Sequence, residues 1–180
     1  MKIFVINGLP MSGKDTFVSL CQKHLCWCKN ISTVDFVKEV AKFCGWDGEK
    51  TPKNRAFLSD LKDLLTQWND VPFEKIKEEI RRYATQAQCH HFSEDDVIVF
   101  IHCREPQEIQ RFVEELGAET LLVRRAAVEN NHQSNHADSD VFNYQYDYTI
   151  TNDGTIEELE DAAIDFLWEI GFGDKVVRYQ

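Results

Sequence analysis

An α/β fold, with a mostly parallel sheet of about five strands, helices on both faces and a helical insertion, is what this 180-residue sequence predicts. Two continuous apolar runs carry that expectation, Ile3-Phe4-Val5-Ile6 and Val97-Ile98-Val99-Phe100-Ile101. Each has strand length and lacks the polar alternation of a strand with one wet face, which suits a sheet covered on both sides. Helical patterns alternate with the strand-like runs, and such alternation makes consecutive strands parallel.

The first strand closes at Asn7-Gly8, and Phe17, Leu20, Cys21 and Leu25 then mark one side of a helix. Ile31 to Val34 is a weaker strand. Residues 45 to 92 break the rhythm, being helical throughout, and are read as an insertion covering one side of the sheet edge. Phe57, Leu58, Leu61, Leu64, Leu65 and Trp68 form one apolar stripe there, and Phe73, Ile76, Ile80, Tyr83, Ala84 and Ala87 a second. Both stripes are expected in the core rather than against a cofactor. Pro106 opens the next helix, with Ile109, Phe112, Val113 and Leu116 on one side and Gly117 as its stop. Leu121-Leu122-Val123 and Tyr148-Thr149-Ile150 are shorter strands. Thr155-Ile156-Glu157-Glu158 is a capping box opening the last helix. No repeat, low-complexity run or linker divides the chain, so residues 1 to 180 are expected to form one domain.

Charge narrows the partners. With 20 Lys+Arg against 31 Asp+Glu the formal net charge is -11, the wrong sign for a general binder of nucleic acid or anionic membranes. Any phosphate site must therefore be a local positive pocket. The apolar start, Met1 to Ile6, is too short for a signal sequence or a membrane span, and a cytoplasmic location is expected. Cys21, Cys26, Cys28, Cys44, Cys89 and Cys103 make no C-x-x-C pair, so free, mostly buried thiols are expected. Trp46, Trp68 and Trp168 are open to either a core or an interface role, and the oligomeric state is open with them.

The most informative segment is Gly8-Leu9-Pro10-Met11-Ser12-Gly13-Lys14-Asp15-Thr16, between a buried strand and an amphipathic helix. This G-x-x-x-x-G-K spacing is that of a P-loop, which wraps backbone N–H groups around nucleotide phosphates at a helix N-terminus while the Lys reaches the β/γ oxygens. Gly8, Met11, Ser12, Gly13, Lys14, Asp15 and Thr16 are accordingly the candidate ATP-binding residues, and a three-layer P-loop NTPase fold is expected. A chance Gly-Lys turn is the competing reading; the strand-loop-helix context argues against it. Asp15 stands where Ser or Thr normally meets Mg²⁺.

Ser12-Gly13-Lys14-Asp15-Thr16 resembles the phage-type deoxynucleoside monophosphate kinases and, less closely, animal-type phosphomevalonate kinases. Downstream, Ile101-His102-Cys103-Arg104-Glu105-Pro106 is similar to a D-x-R motif of those kinases, with His102 in place of the acid. Leu122 to Arg125, Tyr146 to Ile150, Asn152 to Leu159 and Asp35 to Glu39 are similar to the family in order and spacing. The resemblance spans most of the chain and is weakest in residues 45 to 95. It implies ATP and Mg²⁺ as cofactors and small-molecule nucleotides as partners.

Phosphoryl transfer spreads charge over the moving group, and a guanidinium clamps two of its oxygens. With Lys14, Arg104, Arg124 and Arg125 are the catalytic candidates, although a single Arg is more often simply solvated. Asp35, Arg55, Arg104 and His136 are candidates for contacting the acceptor. Residues 126 to 140 are expected to form a lid-like loop; His132, His136, Asp138 and Asp140 within it are a weaker metal reading. Zinc on Cys26, Cys28, Cys89, His90 and His91 is disfavoured by their spacing. Asp15, a hard oxygen donor at a helix start, is the metal candidate.

The leading functional expectation is an ATP-dependent kinase of (deoxy)nucleoside monophosphates. A P-loop kinase of another phosphorylated small molecule, phosphomevalonate-like or dephospho-CoA-like, stands beside it, as does a catalytically silent nucleotide-binding module. A nucleotide-dependent switch fits poorly, because the chain has neither D-x-x-G nor N-K-x-D.

Overall fold

The structure, a computed structural model, describes residues 1–49, 51–130 and 140–177. Five strands, β1 (Lys2–Asn7), β2 (Cys28–Ser32), β3 (Ile98–His102), β4 (Glu119–Arg124) and β5 (Tyr148–Thr151), form one sheet in the order β2-β3-β1-β4-β5. Every pairing is parallel. The helices are α1 (Lys14–His24), α2 (Asp35–Phe43), α3 (Pro52–Asn69), α4 (Val71–Cys89), α5 (Pro106–Leu116), the short α6 (Ala126–Glu129) and α7 (Ile156–Glu169).

Alternation along the strands divides the core between two faces. Phe4, Ile6, Ile98, Phe100, Leu121 and Val123 meet α1 and α7 through Phe17, Val18, Cys21, Leu159 and Phe166. Phe166 stands 5.2 Å from Phe4 and 5.6 Å from Phe17, ring centre to ring centre, both edge-on. On the other face Ile3, Val5, Val99 and Ile101 pack against Phe73, Ile76 and Ile80 of α4 and Ile109 and Phe112 of α5. The helix signals act as expected. Gly117 ends α5 at φ 62, and at the start of α7 the Thr155 N–H donates to Glu158 Oε2 at 2.7 Å while the Glu158 N–H donates to Thr155 Oγ1 at 3.3 Å.

Several expectations need correction. The second strand runs over Cys28–Ser32 rather than 31 to 34, because the Asp35 carboxylate accepts the Ser32 N–H at 2.8 Å and turns the chain into α2. The insertion is helical only from Pro52, with Thr51 capping α3 through the Asn54 N–H. The second apolar stripe is core, as Phe73, Ile76, Ile80, Ala84 and Ala87 are buried. The first is not: Leu64 and Trp68 are 62% and 81% exposed, and Lys62 is the buried residue of α3. The reason is position, since α3 packs on α2 and α4 rather than on the sheet. All six thiols are free, but only Cys21, Cys28 and Cys103 are buried; Cys26, Cys44 and Cys89 are exposed. No helix of the described residues is long and apolar enough to cross a membrane.

Candidate functional site

Central β1 delivers the Gly8–Thr16 loop to the carboxyl edge of the sheet, where parallel α/β sheets bind ligands. Two glycines make the loop possible. Gly8 has φ 153, and a Cβ there would lie 2.4 Å from the Val123 carbonyl oxygen. Gly13, at φ 97, is the N-cap of α1, and no side chain caps that helix. The first N–H groups of α1 thus face outward with the positive end of the helix dipole, an arrangement suited to an anion. Met11, 83% exposed, also adopts a positive φ of 65.

Neighbouring elements fix the loop. Asn7 Oδ1 accepts the Gly8 N–H at 2.8 Å, and its Nδ2 donates to the Tyr146 hydroxyl at 2.8 Å. Asn152, just past β5, donates through Nδ2 to the Ser12 carbonyl at 2.9 Å. Lys14 is 9% exposed, and its Nζ donates to the Leu9 carbonyl at 3.2 Å, so the ammonium lies over the loop. Ser12 Oγ is buried and has no hydrogen-bond partner among the described residues. A buried hydroxyl in that condition calls for a partner, and a phosphate oxygen in the loop would supply one.

A cleft of about 320 Å³ opens beside the loop, between Met11, Asp15 and Thr16 on one side and Arg125, Asn152 and Ile156 on the other. The two adjacent arginines diverge. Arg125 lines this cleft, whereas Arg124 makes a two-pronged pair with Glu129 at 2.9 and 2.6 Å. That pairing raises the Arg124 pKa.

On the opposite side of β1 lies His102, the last residue of β3. Burial pulls its pKa below the ordinary imidazole range; Asp15 and Asp35 oppose the shift, while Lys14 and Arg104 reinforce it. The same five groups therefore share one electrostatic neighbourhood. Asp15 Oδ1 is 3.7 Å from His102 Nε2, and that nitrogen is otherwise without a hydrogen-bond partner among the described residues. Asp35 is occupied by the Ser32 N–H and by Lys38 at 3.2 Å. Arg104, two residues beyond β3, is exposed and makes no ion pair among the described residues. Arg55 lies exposed in the first turn of α3, likewise with no ion pair among them. His136 lies outside the described residues, as do His132 and Asp138.

For metal, Asp15 offers an 81% exposed carboxylate at the mouth of the loop. Cys26, Cys28, Cys89, His90 and His91 form no ligand group among the described residues; Cys103, Glu105 and Glu108 do. Asn7, Asn152 and Tyr146, which support the loop, are not among the candidate site residues that the sequence marks. The signal for Asn152 was there, an Asn-Asp-Gly turn directly after a strand.

No family model matches the chain, and no curated protein does. Among solved structures, the shikimate kinase of Aquifex aeolicus is 15% identical, with a TM-score of 0.52 over 96% of this chain and 99% of that one. A sugar kinase from Janibacter sp. is 13% identical over 99% of both chains, at a TM-score of 0.48. An APS kinase of Mycobacterium tuberculosis is 15% identical over 93% of this chain and 96% of that one, at 0.42. At these identities the likeness to shikimate kinase shows that the chain has the fold of a small P-loop kinase.

Proposed function

We propose that this chain is an ATP-dependent phosphotransferase that passes the γ-phosphoryl group to a (deoxy)nucleoside monophosphate. The Gly8–Thr16 loop carries the reading. It combines an uncapped helix start, a nearly buried ammonium at Lys14 and an unsatisfied hydroxyl at Ser12 in one backbone cradle. Together these present N–H, O–H and N⁺–H donors to a polyphosphate, in a chain whose net charge is otherwise -11. The cleft toward Arg125 and Ile156 continues from the cradle and has room for the nucleoside part of ATP.

Mg²⁺ fits the donor set. Asp15, a hard oxygen donor at the phosphate end of the cleft, would hold the ion chiefly through water, with the ATP phosphates as its direct ligands. The ion, when bound, offsets the charge of the β and γ oxygens. A neutral His102 is a poor ligand for so hard a cation. It contributes instead a wall beside Asp15.

The acceptor side is assigned to Arg104, which lies beyond the strand paired with β1 and has its guanidinium uncommitted to any ion pair of the described residues. The resemblance to phage-type deoxynucleoside monophosphate kinases supports this, and it implies Asp35, Arg55 at the start of the first inserted helix, and His136 as further contacts of the acceptor. Arg125 faces the ATP side, directly before α6, which opens the segment expected to form a lid; residues 131–139 of that segment lie outside the described residues. A monophosphate acceptor is already an anionic nucleophile, so positioning and charge neutralisation suffice without a general base.

The test is ADP release by the purified protein with ATP, Mg²⁺ and a panel of ribo- and deoxyribonucleoside monophosphates beside non-nucleotide monophosphates. Transfer to a nucleoside monophosphate is the expected result. Transfer confined to a non-nucleotide acceptor would reassign the substrate, and no acceptor-dependent ADP would end the kinase reading.

A further inference from the structure

Lys62 is an unusual residue to be the buried one of an 18-residue helix. Its ammonium lies 2.8 Å from Glu108 Oε2 and 3.3 Å from Glu105 Oε2. The Cys103 thiol donates to the same Glu108 oxygen at 3.3 Å. Residues on both sides of Arg104 thus converge on one cation that belongs to the helical insertion. Arg104 is held from the other direction too, because its carbonyl oxygen accepts from Asn7 Nδ2 at 3.5 Å. The backbone of Arg104 therefore lies between the strand that carries the phosphate loop and the helix that carries Lys62, while its guanidinium remains exposed.

Packing alone does not account for the arrangement. Only the Lys62 end of these ion pairs is buried, the Glu108 and Glu105 carboxylates being 30% and 59% exposed. Ion pairs with a buried member are generally no more stabilising than apolar side chains of the same volume, their better attested use in some proteins being to specify geometry. A metal is not what fills the site either. Cys103, Glu105 and Glu108 bring ligand atoms within 4.8 Å of one another, but the Lys62 ammonium already sits against both carboxylates. What the network does fix is the position of Glu105, directly after Arg104, relative to α3.

We propose that Lys62 is a positioning residue which, through Glu105 and Glu108, fixes the backbone of Arg104, so that the helical insertion and the acceptor-side guanidinium move as one unit. The proposal rests on the kinase reading for what Arg104 contacts, and on the geometry alone for the coupling. It assigns the insertion a role beyond covering one side of the sheet edge: displacement of α3 by a bound acceptor is relayed to Arg104.

A second tie supplies the control. Arg111 of α5 pairs with Asp70, the residue between α3 and α4, and also stacks on Phe73 at 3.7 Å. It joins the insertion to the same helix without touching Glu105 or Glu108.

The experiment compares Lys62→Met, Glu108→Gln and Arg111→Met with wild type in two measurements. In hydrogen exchange without substrate, the amides of Cys103, Arg104, Glu105, Gln107 and Glu108 are expected to exchange at least about tenfold faster in Lys62→Met and Glu108→Gln, and at the wild-type rate in Arg111→Met. In the kinase assay the first two variants are expected to raise KM for the acceptor about tenfold with KM for ATP unchanged, and Lys62→Arg to recover part of the loss. Adding Lys62→Met to Arg104→Ala should produce no further loss. Unchanged exchange in both network variants overturns the coupling, as does an equal effect of Arg111→Met. Because exchange is read without substrate, a wild-type chain that phosphorylates no acceptor ends the kinase reading separately. Should Lys62→Met fail to fold, Glu108→Gln tests the same contact from the other side.

Discussion

The side-chain amide of Asn152 occupies the space that a Cβ on Gly13 would need: Nδ2 is 2.2 Å from that position and 2.9 Å from the Ser12 carbonyl to which it donates. The residue after β5 and the residue before α1 are thus fitted to each other. Gly13→Ala meets both this contact and a φ of 97, and is expected to lower stability by about 1–3 kcal/mol and to weaken ATP binding. Asn152→Ala leaves a buried carbonyl unpaired, at a cost of about 1–3 kcal/mol. In the double variant the contact is gone but the backbone strain persists, so the two losses should be less than additive. Thermal unfolding of the three variants measures this.

Lys14 lies against the loop it is expected to serve, with Nζ on the Leu9 carbonyl. Lys14→Ala should lower kcat/KM by about 10³-fold, the scale seen when a charge-stabilising donor is removed from a developing transition state. Circular dichroism should remain that of the wild type. Near-normal turnover in this variant would contradict the phosphotransferase reading.

Asp15 and His102 are expected to differ in their effect on magnesium. Asp15→Asn should raise the Mg²⁺ concentration for half-maximal rate well above the shift caused by His102→Ala. If Asp15 merely favours the start of α1, the requirement stays fixed and stability falls by about 0.3–1 kcal/mol. A magnesium titration of both variants separates the two outcomes.

Asp96 accepts from Ser93 through both the backbone N–H and the hydroxyl at 2.7 Å, and pairs with Lys175 at 2.7 Å. Lys175 leads in lowering its pKa from 3.8 to about 2. A carboxyl with a depressed folded-state pKa stabilises the fold above its unfolded value and loses that contribution as pH falls toward about 2. The difference in melting temperature between wild type and Asp96→Asn should accordingly be present at neutral pH and close between pH 4 and 2. A gap that does not vary with pH would mean that the contact is only steric.

Much of this architecture is legible in the sequence, because its strands are uninterrupted apolar runs and its helix ends carry local signals such as Gly117 and Thr155-Glu158. The loop is equally legible, since its spacing is fixed by the backbone it must make. Long-range fit is not. Nothing local tells that Asn152 reaches the loop across the sheet, or that Arg124 turns to Glu129 while Arg125 faces the cleft. The apolar stripe of α3 misleads for a related reason: periodicity shows that a helix has an apolar side, but not whether another element covers it. Trp68 and Leu64 have the spacing of core residues and lie in solvent.

The strand order has a further consequence, for how the molecule comes to exist at all. β1 is made first, yet its two neighbours are β3 and β4, with Lys2 opposite Ile98 and Phe4 opposite Glu119. On a ribosome the strand that leads into the loop must wait, without sheet partners, until more than half of the chain has emerged. Asn152, which fits the loop against its neighbour, emerges later still. Closing such long loops before any contact rewards them makes folding slow. In refolding experiments, recovery of ATP binding should therefore trail the appearance of helical signal, and saturating ATP should slow unfolding more than it speeds folding. If binding and helix return together in a single fast phase, the cradle forms earlier than this connectivity implies.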